Sequence, residues 1–146
     1  MIDRIVYFLQ GVVKLSLRLC MRIDVVGLEN IPLKGPVIIA SNHISAYDPF
    51  VIGSAMRRVC HYLAKKELFE NFISRYFFKF LRAIPVDRFG HSLSGVREIK
   101  RALDGGKLIL MFPEGTRSRD GKIKQPKEGV GMLASITNAV VIPAII

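Results

Sequence analysis

The chain has 146 residues, half of them hydrophobic, and a formal net charge of +10 at pH 7, so it fits one domain with an apolar core rather than two. The excess of 22 Lys and Arg over 12 Asp and Glu favours an anionic partner such as nucleic acid, a lipid surface or a phosphorylated substrate. The two cysteines, Cys20 and Cys60, have no CxxC spacing, which argues against a disulfide framework and a zinc site and fits a reducing compartment.

The N-terminal segment, residues 2–22, is apolar, but Lys14 and Arg18 interrupt it and its longest uncharged run is too short to cross a bilayer. At about 100° per residue, the polar residues gather in one arc of a helix. The pattern predicts an amphipathic helix over residues 1–24 that lies in the headgroup layer of an anionic membrane. Two alternatives remain: the apolar face packs on the protein's own core, or the segment is a signal peptide, although no small-residue cleavage site follows.

Residues 25–146 are predicted to form one α/β domain. The turn-rich segment 27–36 precedes an apolar run at 37–40, after which helices and strands alternate. We predict strands at 23–26, 37–40, 59–64, 83–86, 107–112 and 139–144, and helices at 48–56, 67–82, 92–103 and 128–137. Unbroken apolar strands that alternate with helices are typical of a mainly parallel sheet covered on both faces. No closing turn or helix follows the last strand, and we therefore expect the chain to be C-terminally incomplete.

A histidine and an aspartate follow the apolar run at 37–40. His43 precedes Asp48 by five positions, and residues five apart in one helix point about 140° away from each other. His43 is therefore predicted on a turn before the helix, with Ser45 or Asp48 as the N-cap and Pro49 in the first turn. Asp48 then reaches back to His43, fixes its tautomer and makes it a general base. An ordinary helix start with a hydrogen-bonded turn histidine fits the same residues.

Three polar loops leave predicted strands at their carboxyl ends, where parallel sheets bind ligands: residues 42–48, 87–88 and 113–118. Arg88 and Arg117 are thereby expected to face His43, and guanidinium groups suit phosphate or carboxylate oxygens. In the third loop Gly115 permits a close backbone approach and Glu114 holds the loop or an arginine. A surface ion pair is the alternative for both arginines, and the better interpretation of Arg57, Arg58, Arg97 and Arg101.

Four sequence blocks, in order, resemble the 1-acylglycerol-3-phosphate acyltransferases, also called lysophosphatidate acyltransferases. They are NHxxxxD at 42–48, IPVDR at 84–88, FPEGTRS at 112–118 and VIPA at 141–144. One HxxxxD box is a weak signal, but the same box with FPEGTRS about seventy residues later is specific. The resemblance runs from about residue 25 to the last residue and implies the glycerolipid acyltransferase fold.

The resemblance implies transfer of a fatty acyl group from acyl-CoA or acyl carrier protein to the free hydroxyl of a lysophosphatidate, which gives phosphatidate for phospholipid biosynthesis. The residues that match the motifs are His43 as general base, Asp48 as its orienter, and Arg88, Glu114, Gly115, Thr116 and Arg117 in the phosphate site. We expect no metal, no cofactor besides the acyl donor and no acyl-enzyme, because attack by the substrate hydroxyl requires only a base. A backbone N–H in the His43 turn or near Gly115 is our guess for the thioester oxyanion site.

Both implied substrates carry long acyl chains, so we expect a peripheral membrane protein on the cytoplasmic face, bound to an anionic lipid surface. The basic loop 117–127 is expected to attract lipid headgroups or donor phosphates, or else to be a solvated loop. In the helix predicted at 67–82, Phe72 and Tyr76 have core spacing with Phe69 and Phe80. Phe78 falls on the polar arc, where it inserts into lipid or is covered by other sequence.

Other function classes fit less well. A non-catalytic lipid-binding module of the same fold, or an acyltransferase for another lysophospholipid, is compatible with the motifs. A nucleic-acid binder would explain the charge, but the sequence has no RNP-type run or zinc-finger spacing, and we predict no nucleic-acid partner. A hydrolase or thioesterase would need water as the acceptor, and the GxSxG elbow of a serine mechanism is missing.

Overall fold

The computed structural model describes residues 23–87 and 93–146, together with residues 5, 8, 11–13, 15, 16, 19 and 20. Its centre is a five-stranded sheet in the order β3-β2-β4-β1-β5, and all four strand pairings are parallel. The strands are β1 Val37–Ser41, β2 Cys60–Lys65, β3 Ala83–Val86, β4 Leu108–Met111 and β5 Val140–Ala144. The predicted parallel sheet is thus confirmed.

Helices cover both faces of this sheet. They are α1 Asp48–Ala55, α2 Phe72–Phe80, α3 Leu93–Asp104 and α4 Gly129–Thr137, with short 3-10 helices at Leu28–Asn30 and Lys66–Phe69. Successive strand side chains point to opposite faces, so each central strand contributes to two cores. Ile39 of β1 packs in a core with Ile52 of α1, whereas its neighbour Ile38 packs in the other with Leu103 of α3 and Leu133 of α4.

The two central strands, β1 and β4, position the site. Ile38 pairs with Ile109, and the side chains of both are fully buried. Because the strands are parallel and in register, their carboxyl ends lie side by side at one edge of the sheet. The loop 42–47 leaves β1 there, and the loop 112–128 leaves β4 there.

The strand predicted at residues 23–26 is wrong. Both hydrogen-bonding edges of β1 are occupied, by β4 and β5, and residues 23–26 are irregular, with Val26 94% exposed. They line an apolar recess between α1 and the end of β5. Ile23 is half-buried whereas Val25 and Val26 are exposed, so the apolar residues of this segment border the sheet without pairing in it.

The helix predicted at residues 67–82 is interrupted. The side chain of Asn71 accepts a hydrogen bond from the backbone N of Ile73 at 2.9 Å and caps α2, so the helix begins at Phe72. Our assignment of its faces is also wrong. Phe72 and Tyr76 are 70% and 62% exposed, whereas Phe78 is half-buried and packs against Phe69 with ring centroids 5.7 Å apart.

The predicted N-terminal helix falls mostly outside the described residues. Those that are described, from Ile5 to Cys20, are helical, and Phe8 and Leu19 among them are exposed. The cationic stripe lies at undescribed positions, so the amphipathic helix and the domain boundary at residues 24 and 25 stay predictions. Within the described part of the chain, no helix has both the length and the apolarity required to span a bilayer.

Arg58 has a structural role that the sequence did not indicate. Its guanidinium donates to the carbonyl oxygens of Pro32, Gly35 and Gly106 at 2.6–2.8 Å, which joins the loops that enter β1 and β4. Arg101 forms the expected exposed ion pair, with Glu98 at 2.8 Å.

Candidate active site

The predicted histidine and aspartate are in contact. Nδ1 of His43 lies 2.8 Å from Oδ2 of Asp48, a side chain that is almost fully buried. The same oxygen accepts from the backbone N atoms of Ile44 and Ser45, at 2.7 and 2.8 Å. Tyr47, rather than Ser45 or Asp48, occupies the N-cap position, and Asp48 is the first helical residue. Because a carboxylate accepts, Nδ1 carries the proton and Nε2 keeps the lone pair that a general base requires.

The ring of Phe112 fixes the plane of this imidazole. It stacks on His43 with ring centroids 3.8 Å apart and an interplanar angle of 15°. Phe112 directly follows β4, and His43 lies in the loop after the neighbouring strand β1. The pairing of these two strands therefore brings the two rings together. The imidazole is held by the Asp48 carboxylate at one edge and by an aromatic ring on one face.

The backbone of His43 is held by the FPEGTRS loop. Glu114 is buried, and its Oε1 accepts from the backbone N of His43 at 3.1 Å while its Oε2 accepts from the backbone N of Lys124 at 3.1 Å. The backbone N of Ser118 donates to the carbonyl of His43 at 2.7 Å. Glu114 therefore joins the two loops that meet at the site and does not point into the open cavity.

Gly115 makes the turn at the tip of this loop. Its φ of +71° is in the left-handed region, and its backbone N donates to the carbonyl of Phe112 at 2.9 Å. Side-chain atoms of Lys127 lie 3.1 Å from the position that a Cβ would take. A side chain at residue 115 would thus be strained and would meet Lys127 as well.

A cavity of about 520 Å³ opens at His43. Gly115 and Thr116, both predicted in the phosphate site, line it. Lys127, the last residue of the predicted basic loop, lines it as well, and so does Lys65, which sequence analysis missed. Lys65 ends β2, so the rule that ligands bind at the carboxyl ends of parallel strands would have indicated it. For Lys127 the sequence indicated only a basic loop, because its place in the cavity depends on the path of the loop 117–127.

A second cavity, of about 560 Å³, adjoins the first and shares His43, Tyr62 and Phe112 with it. Its far wall is apolar and includes Leu68, Phe77, Phe78 and Leu81. We call the first the cation-lined cavity, for Lys65 and Lys127, and the second the apolar cavity, for its far wall; Lys65 and Arg117 line the second as well, on its side near His43 and Thr116.

Of the two arginines predicted in the site, Arg117 is among the described residues and Arg88 is not. Arg117 is exposed and lines the second cavity beside Thr116, so it reaches the same site as His43. Arg88 lies outside the described residues, and its place in the site stays a prediction. Among the guessed oxyanion donors, the N–H groups of Ile44 and Ser45 donate to Asp48 and that of Gly115 donates to the carbonyl of Phe112.

Asn42 of the first block ties β5 to the site. Its side-chain amide donates to the carbonyl of Ile146 at 3.1 Å and accepts from the N of Ile146 at 2.9 Å. The VIPA block, residues 141–144, lies in β5 beside β1. This block therefore supports the site by pairing with β1, the strand that leads to His43, and its side chains line neither cavity.

Tyr62 of β2 forms part of the floor of both cavities and packs under α1. A Cβ at Gly53 of α1 would lie 1.8 Å from the Tyr62 hydroxyl oxygen, so only glycine fits there.

Burial is the main cause that raises the pKa of the nearby Cys60 thiol to about 12. Cys60 is consequently a packing residue and no nucleophile near neutral pH.

Three comparisons show which known proteins the chain is similar to. The Acyltransferase family model matches residues 22–146. The 1-acyl-sn-glycerol-3-phosphate acyltransferase of Bacillus subtilis is 32% identical over 139 residues, which cover 94% of this chain and 68% of that protein. The protein of the same name from Borreliella burgdorferi is 33% identical over 138 residues, which cover 92% of this chain and 55% of that protein.

A solved structure has the same fold. It is the crystal structure of the 1-acyl-sn-glycerophosphate acyltransferase PlsC from Thermotoga maritima, which matches with a TM-score of 0.76 at 29% identity. The match covers 97% of this chain and 57% of that one. The chain therefore spans between about half and two thirds of the length of these three proteins.

Proposed function

The chain belongs to the acyltransferase family that includes the 1-acyl-sn-glycerol-3-phosphate acyltransferases, and on that basis we propose that it acylates 1-acyl-glycerol-3-phosphate to phosphatidate. The acyl donor is a thioester, acyl-CoA or acyl carrier protein. The observation that carries the proposal is the contact between His43 and Asp48 at the edge of two cavities, with the FPEGTRS loop holding the backbone of His43.

In the proposed reaction Nε2 of His43 accepts the proton of the acceptor hydroxyl as its oxygen attacks the thioester carbonyl carbon. Asp48 stabilises the imidazolium that forms. The tetrahedral intermediate then expels the thiolate, which takes the proton back from Nε2. The C–O ester bond replaces the C–S bond, the base is regenerated, and no acyl-enzyme is formed.

The cation-lined cavity is the proposed phosphate site. Lys65, Lys127 and the exposed Arg117 provide positive charge near His43, and the loop tip at Gly115 permits close approach of an anion. Arg88 joins them in this proposal. The apolar cavity is the proposed place for an acyl chain next to the reacting carbonyl.

Thiol release from acyl-CoA, with and without lysophosphatidate, tests the proposal. We expect release that requires the acceptor and that falls at least about 10³-fold in His43→Ala, because the variant loses the base. His61→Ala is the matched control, since His61 lies in β2 but lines neither cavity and should retain activity.

The other results of this assay have distinct meanings. Release without acceptor would identify a thioesterase, and a covalent acyl adduct that turns over would contradict direct attack. If neither acyl-CoA nor acyl carrier protein supports release while the protein still binds vesicles, the non-catalytic module is the better interpretation. Running both donors side by side identifies the donor.

We further propose that the protein works peripherally at a membrane on the cytoplasmic face and needs no cofactor besides its acyl donor. The support is physical: both proposed lipids are amphiphilic, and the net charge of +10 favours an anionic surface. Retention of activity after exhaustive dialysis against a metal chelator tests the second part.

A further inference from the structure

The outward side of α2 is an apolar surface. Four of its side chains, Phe72, Ile73, Tyr76 and Phe77, are between 53% and 78% exposed, and we call them the α2 face. At 100° per residue they fall within an arc of about 140° on one side of the helix. Four adjacent exposed large side chains are a continuous patch, which differs from the isolated exposed residues common on protein surfaces.

In the part of the chain that the structure describes, the α2 face lies on the exposed side of the helix. The opposite side of the helix already packs inward, through the half-buried Ser74 and Phe78. Phe78 contacts Phe69 of the second 3-10 helix, with ring centroids 5.7 Å apart. This contact holds Phe78 inward, and the α2 face lies on the other side of the helix.

The α2 face is continuous with the apolar cavity at His43. Phe77 belongs to both, since it is 53% exposed and also lines the cavity. Phe50 and Leu68, each 41% exposed, line the same cavity. Exposed apolar side chains from α1, the second 3-10 helix and α2 therefore border one opening that leads to the histidine.

Cations border the α2 face on one side. Arg75 and Lys79 are exposed and fall next to Phe72 around the helix. Phosphate headgroups of an anionic bilayer complement this arrangement, with the apolar arc buried at the level of the acyl chains. A second copy of the chain bound through the same face would instead bring two sets of these cations together.

We propose that the α2 face docks on an anionic lipid bilayer, so that the apolar cavity opens toward the membrane. The inference rests on the proposed function, because a cavity that faces the bilayer gives a lipid substrate a path to His43 without exposing its chain to water. The membrane contact proposed for α2 does not depend on the predicted N-terminal helix.

Single-tryptophan variants test the docking directly, because the chain contains no tryptophan. Tyr76→Trp places the reporter in the α2 face, and Leu33→Trp places it in the loop before β1, where Leu33 is 64% exposed. With vesicles of phosphatidylcholine and phosphatidylglycerol we expect a blue shift and quenching by brominated lipid for Tyr76→Trp only. Equal responses of both reporters, or none from Tyr76→Trp on vesicle-bound protein, would overturn the proposal.

Vesicle partition provides a second measurement. We expect the double variant Ile73→Ser and Tyr76→Ser to bind the same vesicles about tenfold more weakly, and Leu33→Ser to bind like the original protein. Lys79→Gln should weaken binding to anionic vesicles and leave binding to phosphatidylcholine alone unchanged. Thermal unfolding of each variant shows that it is folded, since the replaced side chains are exposed.

Two further outcomes are informative. Unchanged partition of the double variant overturns the docking proposal, as does a dimer of the original protein that the double variant abolishes. The proposed function is tested separately, by thiol release from the original protein with a short-chain lysophosphatidate below its micelle concentration and no vesicles. Failure there removes the proposed reaction, whereas failure of the vesicle experiments with intact turnover removes only the docking surface.

Discussion

The variant Asp48→Asn removes the negative charge of Asp48 but keeps the size and shape of the side chain, so it tests the effect of the charge alone. Oδ2 accepts from Nδ1 of His43 and from the N–H groups of Ile44 and Ser45 at 2.7–2.8 Å. In the variant the two backbone donors still require an acceptor, so they hold the amide oxygen, rather than the amide nitrogen, at this position. The oxygen then faces Nδ1, and the His43 proton stays on Nδ1 with Nε2 free to act as a base.

The variant therefore loses charge but keeps the tautomer. We expect kcat to fall about 10²-fold, or about 2.7 kcal/mol, because only the attraction between carboxylate and imidazolium is lost. A substitution that reverses the tautomer costs about 10⁴-fold. The free energy of unfolding should fall by about 1–2 kcal/mol, because three hydrogen bonds to a charged group become bonds to a neutral one.

Thiol release gives kcat, urea unfolding gives the stability, and ¹⁵N chemical shifts of the imidazole show which nitrogen is protonated. Asp48→Ala is the matched variant: it leaves two backbone N–H donors and Nδ1 of His43 without their acceptor, and we expect a loss of about 3–5 kcal/mol in unfolding free energy. The reasoning is refuted if Asp48→Asn is as inactive as His43→Ala, or if the spectra place the proton on Nε2.

Three other changes have predicted effects on stability, measured by urea unfolding. Glu114→Ala leaves the backbone donors of two loops unpaired and should cost about 2–4 kcal/mol, whereas Glu114→Gln, whose single amide oxygen can accept from only one of the two backbone N–H groups, should cost about half as much. Gly53→Ala places a methyl group against the Tyr62 hydroxyl and should cost about 2–3 kcal/mol, of which Tyr62→Phe recovers part. Arg58→Met removes donors from three carbonyl groups and should cost about 3 kcal/mol, against about 0.5 kcal/mol or less for Arg101→Met in its exposed ion pair.

Specific results would contradict each of these. Equal losses from the two Glu114 variants would mean that the carboxylate oxygens do not carry the loop contact. Additive effects of Gly53→Ala and Tyr62→Phe would mean that the two side chains do not meet. If Arg58→Met and Arg101→Met lower the free energy of unfolding equally, the hydrogen bonds of Arg58 to three carbonyl groups stabilise the fold no more than the exposed ion pair of Arg101 does.

The site was predictable where it depends on strand order and local spacing. Continuous apolar runs identify β1 and β4, and parallel strands carry their following loops to one edge, which brings residue 43 close to residue 114. The five-residue spacing of His43 and Asp48 predicts a turn before a helix, and the structure has one. These inferences need only chain geometry.

Features that depend on how separate elements pack were not predictable. The periodicity of residues 67–82 correctly identifies an apolar arc on α2, but the side that packs inward is determined by the contact of Phe78 with Phe69 and not by which arc is the more apolar. The break at Asn71 is a local cap that the longer periodic pattern conceals. Lys127 enters the cavity through a long irregular loop, whose path no periodicity describes.

The strand order has a consequence for synthesis on the ribosome. Val37 of β1 pairs with Leu108 and Val140, so both partners of the first strand are made long after it. Until residue 108 has emerged, β1 is an apolar segment with two unpaired edges, the kind of segment that is prone to aggregation and that chaperones protect. Asn42, which follows β1, likewise makes its hydrogen bonds with the backbone of Ile146 only after β5 has been synthesised.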